Sequence, residues 1–158
     1  MRRSRPILVV LAVILSAAQV GHSQAAKSAS SEANFKALMQ RIWDAWGSGD
    51  PANAAPFYAK GADCVFFDVT PVKYDGWAQY NEGVKKVLAN FQSAKFRVNA
   101  DARVHRLGNY TWATSTIDTD LVPKNGSEQK GTWRWTVVWS RSGENWLIIH
   151  EHVSAPLP

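Results

Sequence analysis

Cysteine is nearly missing from this chain: Cys64 is the only one in 158 residues. A single thiol excludes an internal disulfide, so an apolar core has to hold the fold together. The run Cys64-Val-Phe-Phe67 reads as a strand that buries Cys64 as a small apolar side chain. Also missing is any apolar run long enough for a comfortable membrane span. The longest, Ile7 to Leu15, follows Arg2, Arg3 and Arg5 and precedes small residues around Ser23 and Ala25. That order is the n-region, h-region and cleavage site of a secretory signal. Cleavage after Ser23 or Ala25 is expected, delivering the protein to the periplasm or medium with no stable membrane insertion after processing.

Positive charge is also scarcer than the totals suggest. The chain carries 18 Lys+Arg against 13 Asp+Glu, but three of the arginines lie in the signal, and 15 against 13 remain. They are scattered, with no basic run of the kind that tracks phosphates, so nucleic acid is not an expected partner. No Gly-rich phosphate loop and no Gly-x-Ser-x-Gly elbow is present, which leaves nucleotide binding and serine nucleophilic catalysis unsupported. His150 and His152 share a strand face at i, i+2, but His105 is the only other histidine after the signal. No metal and no cofactor is therefore expected. Asn109-Tyr-Thr111 and Asn125-Gly-Ser127 match glycosylation acceptors at turns.

What is present is a regular order of elements. Residues 1–25 read as signal, 26–31 as a polar linker and 32–158 as one domain. Phe35, Leu38, Met39, Ile42 and Trp46 form an amphipathic helical stripe that Gly47 and Gly49 stop. Asp50-Pro51 restarts the chain as a cap and first helical residue, and Pro56 keeps that helix short. A strand follows from Ala62 to Asp68, then a loop at Pro71, then a helix from Asp75 to about Phe91. In that helix Gly83 costs about 1 kcal/mol relative to alanine. Phe96 to His105 alternate strictly, predicting one strand. Gly108-Asn109 suits a two-residue hairpin into Tyr110 to Leu121, and Arg141-Ser142-Gly143 a three-residue loop. Helices followed by an antiparallel meander make an α+β fold.

The turns also assign faces. Trp133, Trp135 and Val137 align with Leu147, Ile149, Glu151 and Val153 on the side facing the helices. Trp112, Val138, Trp146 and Ile148, with Arg134, His150 and His152, fall on the other side. A one-residue slip would exchange the two sets.

Several local motifs carry a resemblance. Ala55-Pro-Phe-Tyr-Ala-Lys-Gly-Ala-Asp63, Phe67-Asp68, Tyr74-Asp-Gly-Trp77 and Trp146-Leu-Ile-Ile-His-Glu-His-Val-Ser154 resemble those of SnoaL-like, ketosteroid-isomerase-related proteins of the nuclear transport factor 2-like superfamily. The resemblance spans about Glu32 to Pro158 and implies a cone of helices on a curved antiparallel sheet. The final motif is also similar to the end of the calcium/calmodulin-dependent kinase association domain. There the positions matching Ile117, Val137 and Val153 are arginines facing the cavity; here they are aliphatic, which argues against an anion pocket of that type. The resemblance implies that Tyr58 projects into the cavity, and fold alone does not decide function.

The expected pocket is lined by Tyr58, Trp77, Tyr80, Trp133, Trp135, Ile149 and Val153. Glu151 among apolar neighbours should have a raised pKa suited to acid–base work. Asp68 is either a second carboxylate across the cavity or a loop cap. With Tyr58 as hydrogen-bond donor, Glu151 and Asp68 are the candidate catalytic residues, and an unknown small, largely apolar molecule is the expected ligand. Pure binding with the same pocket stays open. So does a non-catalytic interaction module that uses the outer sheet face, whose apolar residues predict a homodimer.

Overall fold

A computed structural model describes residues 31, 32 and 34–157; the expected signal and most of the linker lie outside them. Residues 36–158 form one compact unit. Its first element is helix α1 (34–47), whose stripe buries Met39, Ile42, Trp43 and Trp46. The helix ends where glycine was expected to end it, with Gly49 at φ +77°. Asp50 then caps α2 (Pro51–Ala54) by accepting from the Ala52 amide at 2.9 Å, and Pro51 stands at the first helical position. A single 3₁₀ turn at Ala55–Phe57 follows, as Pro56 requires, and it delivers Tyr58 to the core at 1% exposure.

Helix α3 (Gly76–Leu88) is shorter than expected. It stops at Leu88, and Phe91 opens a strand instead of closing the helix. Asp75 occupies the cap position, but its carboxylate pairs with Lys73 at 2.8 Å. The Asp75 amide is met by the Gln79 side chain. Gly83 has a structural reason to be glycine: a Cβ there would lie 2.0 Å from the Tyr74 ring.

Seven strands complete the fold: β1 (Val65–Phe67), β2 (Tyr74–Asp75), β3 (Phe91–Val98), β4 (Arg103–Leu107), β5 (Tyr110–Pro123), β6 (Gln129–Ser142) and β7 (Asn145–Ser154). They form one sheet in the order β2-β1-β7-β6-β5-β3, with β4 also paired to β5. All neighbours are antiparallel except β1 and β7. The Gly108-Asn109 turn is as predicted, pairing Leu107 with Tyr110. The single strand expected over Phe96–His105 is two strands. The chain turns at residues 99–102, where the Asp101 carboxylate accepts from the Thr116 amide and hydroxyl and from the Ser115 hydroxyl. That aspartate, at a polar position of the alternation, gives the break its partners. At the β3 edge Gln40 supplies what a further strand would. It donates to Phe96 O at 3.0 Å and accepts from Val98 N at 2.8 Å, tying α1 to the sheet.

The face assignment is correct at the end of β7 and wrong at its start. Trp135 pairs with Val153 and Val137 with Glu151, so those four point to the helices. Between Val138 and Trp139 the register shifts: Val138 faces His150 while Trp139 faces Ile148. The loop expected at Arg141-Ser142-Gly143 is instead a two-residue turn, Gly143-Glu144, with Ser142 paired to Asn145. The extra residue, Ile149, is a bulge. It swaps the faces beyond it, so Ile148 and Trp139 are fully buried where the outer face was expected to hold Ile148.

Candidate functional site

β7 crosses the middle of the sheet, with β1 parallel to it on one side and β6 antiparallel on the other. The pleat therefore turns Glu151 inward beneath the helices, and it is 1% exposed. Three donors meet it. Tyr58 Oη donates to Oε1 at 2.8 Å, Tyr80 Oη to the same oxygen at 2.5 Å, and Trp135 Nε1 to Oε2 at 2.8 Å. Trp46 Nε1 in turn donates to Tyr58 Oη at 2.8 Å. Residues from α3, β6 and the end of the 3₁₀ turn thus meet at one carboxyl on β7, and α1 is joined to it through Trp46 and Tyr58. Burial pushes the Glu151 carboxyl above its ordinary range, and the donors from Tyr80, Trp135 and Tyr58 pull it back. No lysine, arginine or histidine pairs with Glu151 among the described residues. Both phenols are held protonated well above the usual tyrosine range, first by burial and then by the Glu151 charge.

A cavity of about 240 Å³ lies beside this cluster. Its aromatic walls are Trp43, Trp46, Tyr80, Phe91, Phe96 and Trp133. Val69, Val84, Val87, Leu88, Leu121 and Val153 add aliphatic surface, and Asp68, Thr70 and Gln129 are the polar lining groups besides Tyr80. Thr70 and Gln129 are exposed and mark the mouth. No basic side chain lines it among the described residues.

Asp68 sits in this lining at the end of β1. One carboxyl oxygen accepts from the Val69 amide at 2.7 Å; no other donor reaches the carboxyl among the described residues. Burial pushes the group up to about 7, the Val69 amide opposes this, and the Glu151 charge adds to it. Asp68 is therefore both the loop cap and the cavity carboxylate that the sequence offered as alternatives.

Of the expected pocket residues, Tyr80, Trp133, Val153 and Asp68 line the cavity. Tyr58, Trp135 and Glu151 do not: Tyr58 packs behind Trp46 and Tyr80, Trp135 packs against Trp43, and Glu151 is bonded to Tyr58, Tyr80 and Trp135. Trp77 is half-buried with the Lys60 ammonium 3.6 Å above its ring, and Ile149 is the bulge residue, so neither reaches the lining. Ile117 and Val137 are fully buried and also lie outside it. The other eleven lining residues were not foreseen: Trp43, Trp46, Phe91 and Phe96 among the aromatics, Val69, Val84, Val87, Leu88 and Leu121 among the aliphatics, and Thr70 and Gln129 at the mouth. Trp43 follows Met39 by four residues and was legible as part of the α1 stripe. Phe91 was misplaced onto α3, and Phe96, Leu121, Thr70 and Gln129 lacked a local signal.

A profile of the SnoaL-like domain matches residues 35–158. The chain belongs to that family. Solved structures agree on the nuclear transport factor 2-like fold of this SnoaL-like domain. A superfamily member from Salmonella enterica superimposes with a TM-score of 0.75 at 21% identity, covering 83% of this chain and 94% of that one. A protein of unknown function from Pseudomonas putida gives 0.69 at 26% identity, covering 82% and 89%. A candidate dehydratase from Streptomyces avermitilis gives 0.70 at 16% identity, covering 84% and 99%. No curated protein matches the sequence. The SnoaL-like domain thus shares its architecture with these structures.

Proposed function

We propose that this SnoaL-like domain is exported and binds a small, largely apolar organic molecule in the cavity between α1, α3 and the sheet. Proton transfer at Asp68 is the chemistry the site supports. The observation that carries this reading is one carboxyl, with an oxygen that no donor reaches among the described residues, in a wall of aromatic and aliphatic side chains. A carboxyl near 7 can both take and give a proton at neutral pH. Glu151 acts one layer back. It holds Tyr58 and Tyr80 in place and, through its charge, helps keep Asp68 protonated. At about 240 Å³ the cavity has room for about eight waters at ~30 Å³ each, which suits one or two rings and falls below the range for drug-sized ligands.

A thermal-shift screen of one- and two-ring alcohols, ketones and amines tests this reading, because a ligand of the native state raises the melting temperature by mass action. Hits should disappear in Val87→Trp, which fills the cavity. Hits that convert should lose turnover in Asp68→Asn, and the uncharged ones should keep their binding there. A library without hits, or hits indifferent to Val87→Trp, would reject the cavity as the site. Export is checked by the mass of the secreted protein, expected to begin after Ser23 or Ala25.

A second reading, self-association through the outer sheet face, has its own observation. Leu107, Tyr110 and Trp112 are 78%, 54% and 42% exposed and share one face of the β4–β5 hairpin. The patch is smaller than the sequence implied, because Ile148 is in the core, His105 stacks on Trp112 at 4.0 Å and Arg106 lies over Trp146. Light scattering at micromolar concentration should give a dimer that Trp112→Arg dissociates; a monomer throughout would end this reading.

A further inference from the structure

The cavity's chemistry selects among ligands by charge, and that selection can be read from which groups still have something to offer. Every donor in the Glu151 cluster is spent: Tyr58, Tyr80 and Trp135 donate to Glu151, and Trp46 donates to Tyr58. Trp43 Nε1 has no acceptor, but it is fully covered and presents no surface to a ligand. Apart from the Trp133 indole N–H, the polar groups inward of the mouth therefore present acceptors. Tyr80 keeps only an oxygen lone pair, and Asp68 keeps a carboxyl oxygen that no donor meets among the described residues. Around them stand Trp43, Trp46, Phe91, Phe96 and Trp133, whose ring faces carry negative potential. No basic side chain lines the cavity to balance them among the described residues.

We propose that the ligand of this cavity is a small organic cation, a protonated amine or quaternary ammonium on a body of one or two rings, seated among these aromatic faces with Asp68 as its counter-ion. The proposal rests on the reading of this cavity as the ligand site and adds the charge of what it takes. An anionic ligand would meet the rings and the Asp68 carboxyl with no cation to receive it. A neutral ligand would leave Asp68 to take up a proton and would gain nothing from its charge. A cation resolves both conditions.

The test compares benzyltrimethylammonium, benzyl alcohol and phenylacetate by calorimetric titration of the purified protein. The first carries a permanent charge, so its protonation does not change with pH. It should bind at least about tenfold more tightly than the alcohol, and phenylacetate should bind most weakly, as ring faces and a carboxylate together prefer a cation. Asp68→Asn should remove at least about tenfold from the ammonium and less than about threefold from the alcohol, and Val87→Trp should abolish both. The wild-type preference should also fall about tenfold from pH 8 to pH 6, because Asp68 takes up a proton over that interval. The titratable groups that face Asp68 are Glu151, Tyr58, Tyr74 and Tyr80. The three tyrosines stay neutral throughout that range, since each is held above its ordinary value. Glu151→Gln checks its share, and the pH effect should persist there. If the alcohol binds as tightly as the ammonium, or phenylacetate binds best, the cation is wrong while the cavity stands as the ligand site. If none of the three binds, or ammonium binding survives Val87→Trp, the cavity reading fails and the cation with it.

Discussion

Two tyrosines donate to one oxygen of Glu151, yet they are not equivalent. Tyr80 does one thing for the cluster, donating to Oε1. Tyr58 does two, donating to Oε1 and accepting the Trp46 indole N–H. Removing the Tyr80 hydroxyl takes one donor from a buried acid, a loss of about 1.5–3 kcal/mol. Removing the Tyr58 hydroxyl takes the same donor and also leaves a buried indole N–H without its acceptor, adding about 1–3 kcal/mol. Tyr58→Phe should therefore lower the denaturation midpoint clearly more than Tyr80→Phe, with unchanged urea m-values. Trp46→Phe, which removes the orphaned donor, should bring the Tyr58→Phe background closer to Tyr80→Phe. Equal midpoints for the two single variants would mean that the Trp46 bond contributes nothing.

At the scale of elements, the reading of the sequence succeeded where one local rule governed and failed where two segments compete for the same residues. The α1 stripe, the Asp50-Pro51 restart and the Gly108-Asn109 hairpin all follow from periodicity or turn chemistry. Glu151 and Val153 face inward as expected, but only because the bulge at Ile149 offsets a turn one residue shorter than the sequence implied. The break at residues 99–102 did not, because apolar alternation continues through it and the partners of Asp101 lie on another strand. The bulge at Ile149 was equally silent. It exchanges the faces of half a strand without a glycine or proline to announce it. Those two features explain why the cavity lining was only partly legible, since it depends on which residues of β3, β5 and β7 meet. Gly83 shows the converse, a local penalty with a tertiary reason. Helix propensity alone predicts that Gly83→Ala stabilises by about 1 kcal/mol. The Tyr74 ring, 2.0 Å from the added Cβ, predicts a loss of about 1–3 kcal/mol instead. In a Tyr74→Leu background the alanine should become neutral or favourable. A stabilising Gly83→Ala in the parent protein would show that α3 and β2 yield more readily than this packing implies.

For the whole molecule, the buried acids make stability depend on pH in an unusual direction. Most proteins gain stability between pH 4 and pH 7, because paired carboxylates ionise more readily folded than unfolded. Asp68 does the reverse. Its native pKa of about 7 lies above the value near 3.9 expected unfolded, so between those limits the native state holds a proton that the unfolded state has lost. Its contribution is fully present below about pH 4 and is lost as pH rises through 7, on the order of 2–4 kcal/mol for a half-buried group. Glu151 is shifted in the same direction. Asp118 and Asp101, both lowered, work against them, but Asp101 is exposed and Asp118 only half-buried, so their contribution is small. Asp68→Asn cannot ionise and escapes this loss. Urea denaturation at pH 4, 6 and 8 should show the variant gaining on the parent protein as pH rises, with the largest difference at pH 8. A saturating cation should close that gap for the parent protein alone, since it supplies the counter-charge that the empty cavity lacks. Parallel stability curves for the two proteins would mean that Asp68 ionises as readily folded as unfolded, and neither proton transfer near neutral pH nor a pH-gated counter-ion would then be available at this position.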